Sequence, residues 1–151
     1  MSSVLDKKKI LAVDDEPDIL EVLEMEISAA CTGCLVEKAT SYEEAVMFLQ
    51  SRSYDLVILD IMGVRGFDLL EIIVKNNMRA VMLTAHALTP ESLNRARNME
   101  ARAFLPKTEI ANIVPFLEDV FKYDFEGGWK RLLSALKDVF VQVWGRQWDT
   151  M

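Results

Sequence analysis

The chain has 151 residues, the length of one domain, and its 51% hydrophobic and 27% charged composition excludes a disordered polymer. A net charge of −7 argues against nucleic-acid binding by phosphate neutralisation. No stretch reaches the roughly 18 apolar residues of a membrane span, and no secretory leader pattern opens the chain, so a cytoplasmic protein is expected.

In chain order, Ile10-Leu11-Ala12-Val13 is a continuous apolar run that ends in Asp14-Asp15. Such a run suits a strand buried on both faces of a parallel sheet. Pro17 then opens a helical pattern, with Ile19, Val22, Leu23 and Ile27 at helix spacing. Cys31 and Cys34 follow in a C-x-x-C spacing. The spacing suits a redox pair or half a zinc site, but with a single histidine, His86, and no third cysteine zinc lacks ligands, and the pair follows a helical run where a redox motif opens one, so two reduced thiols in a loop are expected. Leu35 to Ala39 is a more polar run, as an edge strand would be. Ser41 and Glu44 have the spacing of a capping box ahead of Ala45, Phe48 and Leu49.

Leu56-Val57-Ile58-Leu59 is a second buried-strand run and ends at Asp60. Phe67, Leu70, Ile73 and Val74 mark a helix. Ala80-Val81-Met82-Leu83 is a third buried run and ends at Thr84. Thr89 is placed to cap a fourth helix with Pro90 in its first turn. That helix carries few large apolar residues, mainly Leu93 and Met99, so its packing is expected to be thin. Ala103-Phe104-Leu105 is a short strand ahead of Lys107. Ile110, Ile113, Val114, Leu117, Val120 and Phe121 form a fifth helical face, in which Pro115 must kink the helix or fall in its first turn.

The alternation predicts an α/β, doubly wound, five-stranded parallel sheet with helices on both faces. A domain over 7–122 is expected, then a connector over 123–128 with Gly127-Gly128 as breaker, then an extra C-terminal amphipathic helix over 129–148. Trp129, Leu132, Leu133, Leu136, Phe140, Val143 and Trp144 form the apolar face of that helix. It is expected to pack on its own domain or pair two copies into a homodimer. A membrane surface is the less favoured destination, although Trp148 and Arg146, with Lys130, Arg131 and Lys137, give it some interfacial character.

Ligands of such folds bind outside the carboxyl ends of the strands. Asp14-Asp15, Asp60, Thr84 and Lys107 all fall at that edge. Three carboxylates there would repel without a cation, and an all-oxygen set suits Mg²⁺. An aspartate can accept a phosphoryl group, while a threonine hydroxyl and a lysine ammonium can hold phosphoryl oxygens.

Val13-Asp14-Asp15-Glu16-Pro17, Leu59-Asp60, Leu83-Thr84-Ala85 and Phe104-Leu105-Pro106-Lys107 resemble, in order, the motifs of two-component receiver domains. The resemblance covers residues 7–122. It implies a flavodoxin-like fold, Asp60 as phosphoacceptor, and Mg²⁺ held by Asp14, Asp15, Asp60 and the backbone carbonyl of Met62. It also implies phosphoryl contacts or switching at Thr84, Lys107 and Phe104, the aromatic ring turning inward as the switch closes. The implied partners are a sensor histidine kinase or phosphotransfer protein and a downstream protein.

Two departures stand out. The loop Asp60-Ile61-Met62-Gly63-Val64-Arg65-Gly66-Phe67 is about two residues shorter than the family's and lacks its proline. Proline also precedes Lys107 instead of following it, so a trans Lys107–Thr108 bond is expected, since a non-proline cis bond costs about 2.5–4 kcal/mol. A cis bond could instead sit at Leu105–Pro106. A degenerate receiver acting only as an interaction module is the alternative function. A Mg²⁺-dependent aspartyl-phosphate phosphatase is disfavoured, because its second aspartate would stand where Met62 does.

Overall fold

The computed structural model describes residues 2–85 and 89–144, the side chains described ending at Gln142. His86, Arg146 and Trp148 lie outside the described residues, as do the side chains of Val143 and Trp144. The strands are β1 (Lys9–Val13), β2 (Leu35–Ala39), β3 (Leu56–Asp60), β4 (Arg79–Thr84) and β5 (Ala103–Pro106). The helices are α1 (Pro17–Ala30), α2 (Tyr42–Ser51), α3 (Gly66–Lys75), α4 (Pro90–Asn98), α5 (Ile113–Lys122), α6 (Phe125–Ala135) and α7 (Lys137–Trp144), with a 3₁₀ helix at Lys107–Asn112. All strand pairs are parallel, in the order β2-β1-β3-β4-β5.

β3 is buried along its whole length and β1 and β4 along all but their first residue, as their continuous apolar runs require. β2 is half-buried, as expected of an edge. α1 packs on α5, and α2 on α3; right-handed crossovers put these pairs on opposite faces. Ser41 Oγ accepts from the Glu44 N–H at 3.1 Å, and Glu44 Oε1 accepts from the Thr40 N–H at 2.8 Å, a capping box closed one residue early. Thr89 caps α4 by accepting from the Ser92 N–H at 3.0 Å, and that helix buries only Leu93 and Ala96. Pro115 falls in the first turn of α5, where its missing N–H goes unneeded, and the residues before it form the 3₁₀ helix. Among the described residues no peptide bond is cis, so Lys107–Thr108 and Leu105–Pro106 are both trans.

Three expectations are corrected. Cys31 and Cys34 are joined by a disulfide, their Cα atoms 6.0 Å apart. Cys31 ends α1 and Cys34 leads into β2, so the short turn between them brings the two sulfurs together.

The connector is shorter than expected. α6 starts at Phe125 and runs through Gly127-Gly128, because Asp124 caps it by accepting from the Gly127 N–H at 2.7 Å. A glycine whose N–H is tied to a cap costs the first turn less than one in mid-helix.

The tail is also two helices, not one, with Leu136 between them at φ −103° and ψ 12°. The apolar face expected to pack or to pair copies packs on its own domain: Trp129, Leu132, Leu136 and Phe140 are buried. The Trp129 indole N–H donates to the Ala101 carbonyl at 2.8 Å, and α6 lies against α5 and the edge strand β5. An edge strand left open is a site for unwanted pairing, and here a helix covers it. Among the described residues no helix is long and apolar enough to cross a membrane.

Candidate functional site

The order of the sheet reverses between β1 and β3, and the crevice at that point is where the carboxylates meet. Val13 pairs with Leu59, so Asp14, one residue on, stands across from Asp60. Asp60 pairs with Leu83, and Thr84 with Pro106, which sets Lys107 one residue beyond. Four strands thus deliver Asp14, Asp60, Thr84 and Lys107 to one edge by register alone. Asp14, Asp60 and Thr84 are the buried polar residues of the described chain.

The Lys107 ammonium lies 2.8 Å from Asp14 Oδ2, 3.2 Å from Asp60 Oδ1 and 3.1 Å from Glu16 Oε1. Its side chain is only 8% exposed. Burial works to lower the pKa of Lys107, but its close contacts to the Asp14 and Glu16 carboxylates, with the charges of Asp14 and Asp60, outweigh it and hold the pKa above the usual range. Burial, and after it the charge of Asp14, pushes Asp60 up to about 6. Asp14 is raised as well, chiefly by burial, although Lys107 and the Glu16 N–H pull against this. One cation for several carboxylates leaves the pocket short of positive charge.

Asp14 Oδ1 accepts from the Glu16 N–H at 2.9 Å, which fixes the carboxylate beside the start of α1. Its buried Oδ2 accepts no well-directed hydrogen bond, although Lys107 stands close by charge. One oxygen each of Asp14, Asp15 and Asp60 lie within 4.8 Å of one another. Hard cations such as Mg²⁺ hold oxygen ligands at about 2.1 Å, so ligand oxygens sit roughly 3–4 Å apart, and a slight closure of this set meets that requirement. The donor set, with a buried Asp14 Oδ2 that is ion-paired but carries no well-directed hydrogen bond, therefore fits a hard divalent ion.

The loop after Asp60 is shaped by two glycines that sequence reading had passed over. Gly63 has φ 80°, and a Cβ there would lie 2.5 Å from Asp15 Oδ2. A Cβ at Gly66 would lie 2.2 Å from the Asp60 carbonyl oxygen. The shortened loop closes because its backbone comes directly against the two aspartates, with the Gly66 N–H bonded to the Ile61 carbonyl at 3.1 Å. Met62 is 62% exposed at the rim. Glu16 is the other residue without an assigned part, and it completes the anionic collar of Lys107. Its place immediately after Asp14-Asp15 was the available signal.

Phe104 is fully buried on β5 and pairs with Met82, three residues before Lys107. Thr84 is 1% exposed at the end of β4.

The family model of the response regulator receiver domain matches residues 10–115, which span this whole constellation and stop short of α6. The receiver domain of the Francisella response regulator 1452 superposes with a TM-score of 0.66 at 22% identity, over 76% of this chain and 97% of its own. A CheY-like receiver domain protein from Methanospirillum hungatei JF-1 gives 0.62 at 25% identity, over 82% and 98%. A putative response regulator from Chloroflexus aurantiacus J-10-fl gives 0.66 at 24%, over 77% and 98%. A comparison with curated proteins gave no match. With the family model covering well over half of the chain and the strand-end register in agreement, the chain belongs to the response regulator receiver domain family.

Proposed function

We propose that Asp60 accepts a phosphoryl group from the phosphohistidine of a sensor kinase or phosphotransfer protein, with Mg²⁺ bound by Asp14, Asp15, Asp60 and the Met62 carbonyl, and that the acyl phosphate alters a surface read by a protein partner. The observation that carries this reading is the buried Asp14–Lys107–Asp60 contact at 2.8 and 3.2 Å, held at the switch point of the sheet.

A carboxylate oxygen of Asp60 attacks phosphorus, the N–P bond of the donor breaks, and its electron pair leaves with the imidazole. A divalent ion held by Asp14, Asp15 and Asp60 would neutralise charge on the phosphoryl oxygens and on the carboxylates. Lys107 is preset for the product: its ammonium already touches Asp60 and can pass to a phosphoryl oxygen without leaving Asp14. Thr84 ends β4 beside Asp60 and can donate its hydroxyl proton to a second oxygen. Gly63 and Gly66 keep the loop close enough that Asp15 and Asp60 share one site. This chemistry makes the domain a phosphoacceptor and not a metabolic enzyme.

Incubation with acetyl phosphate and Mg²⁺, followed by intact mass measurement, tests the reading. The wild-type chain gains one phosphoryl group, and Asp60→Asn gains none. An unchanged wild-type mass overturns the proposal and leaves the chain as an interaction module alone.

A further inference from the structure

The far edge of the sheet gathers charge of the opposite sign. Lys8 precedes β1, Arg79 opens β4, and Arg102 precedes β5, so all three stand at the N-terminal ends of strands, away from Asp60. Lys8 Nζ is 5.2 Å and Arg79 Cζ 5.0 Å from the centroid of the Phe121 ring on α5. An aromatic face attracts cations, so this ring holds two of them together. Arg102 stands close enough to feel the charge of Arg79. Burial first, and Arg79 second, lower its pKa, against partial relief from Asp124. Among the described residues none of the three is in an ion pair.

The two arginines line a cavity of about 390 Å³ with Asn77, Met78, Glu100 and Phe125. Glu100 lines the cavity, Asp124 acts on Arg102, and Asp55 stands one residue before Leu56, the register partner of Arg79, with its Oδ2 already accepting from the Lys9 N–H at 2.8 Å. Asp124 is engaged as the cap of α6, and Glu100 sits on an exposed turn with φ 71°. The carbonyl ends of α3 and α4 also face this side and lower the cost of placing cations there, at about half a charge each. In a chain of net charge −7, a cavity lined by two arginines, with a lysine on the ring that holds one of them, is the exception to the surface as a whole. Guanidinium groups bind phosphate through paired, planar N–H donors, and like-charged neighbours gain most when an anion joins them.

We propose that Arg79 and Arg102, with Lys8 behind them, form a binding site for a small phosphate-bearing molecule at the N-terminal edge of the sheet. Met78 and Phe125 offer apolar surface beside the guanidinium groups, so an organic phosphate is favoured over the free ion. The site is separate from Asp60 and stands or falls independently of its phosphorylation.

Titration with inorganic phosphate and with phenyl phosphate, in EDTA so that no metal phosphate forms at the other edge, tests it by backbone amide shifts. The expected result is saturable movement of residues 77–79 and 100–102, tighter for phenyl phosphate and unaffected by Asp60→Asn. Arg102→Gln and Arg79→Gln each weaken binding by about tenfold, the loss of a charge-assisted contact. Lys130→Gln, an exposed cation elsewhere, leaves it unchanged. Arg79 is exposed at the start of its strand, so its variant remains informative if Arg102→Gln folds poorly. No saturable shift in the millimolar range, or equal affinity in the wild type and both arginine variants, overturns the proposal.

Discussion

Ionised Asp60 is a charge the fold carries at a cost. Its pKa of about 6 in the folded chain, against 3.8 for the free side chain, corresponds to about 3 kcal/mol. Because the folded value is the higher, the stabilising contribution of protonation is complete below pH 3.8 and is lost as the pH rises through 6. Asp60→Asn therefore stabilises the metal-free protein at pH 7–8, by up to about 3 kcal/mol, and the gain shrinks towards pH 4. Urea melts of both chains across that range check it, and a gain independent of pH refutes the assignment. Gly66→Ala acts in the other direction. Its methyl would strike the Asp60 carbonyl, so the loop must shift, at about 1–3 kcal/mol, and phosphorylation by acetyl phosphate slows with it. At this scale the sequence was informative about Asp14, Asp15, Asp60, Thr84 and Lys107, because they end or follow four apolar runs. Gly63 and Gly66 were silent, since a close approach between backbone and carboxylate leaves no periodicity to read.

Among the elements, the buried strands were legible from continuous apolar runs, and α2 and α4 from their caps. The tail was harder. Gly127-Gly128 suggests a break, yet the Asp124 cap carries the helix through it. Nor does periodicity reveal that Leu136 divides the tail into two helices. The anchor of α6 is a single polar contact inside an apolar seam. Trp129→Phe keeps most of the packing but leaves the Ala101 carbonyl without its donor, a loss of about 1–3 kcal/mol in chemical denaturation. A chain ending at Glu126 loses Trp129, Leu132, Leu136 and Phe140 together, and bares β5. That truncation lowers the unfolding midpoint far more than Trp129→Phe does, and a midpoint equal to that of the full chain would show α6 to be dispensable for the domain.

Carboxylates gather around the switch point at one edge of the sheet, while Lys8, Arg79 and Arg102 stand at the other, among Asp55, Glu100 and Asp124. Overall charge hid this from the sequence, because the basic cluster is assembled from positions far apart in the chain. If the acidic edge binds Mg²⁺ as proposed, stability responds to the metal. Mg²⁺ at ten times its dissociation constant adds about 1.4 kcal/mol to unfolding, and Asp15→Asn removes most of that increment at the same concentration. Denaturation with and without MgCl₂ measures both. The Trp129 indole has a further use, as an optical one. Shielded from water and hydrogen-bonded at the entrance to β5, it should emit at short wavelength, and the difference spectrum against Trp129→Phe isolates it from the chain's other tryptophans. The protein thus carries its own fluorescent gauge of whether the tail stays seated when the opposite edge binds metal or phosphoryl group.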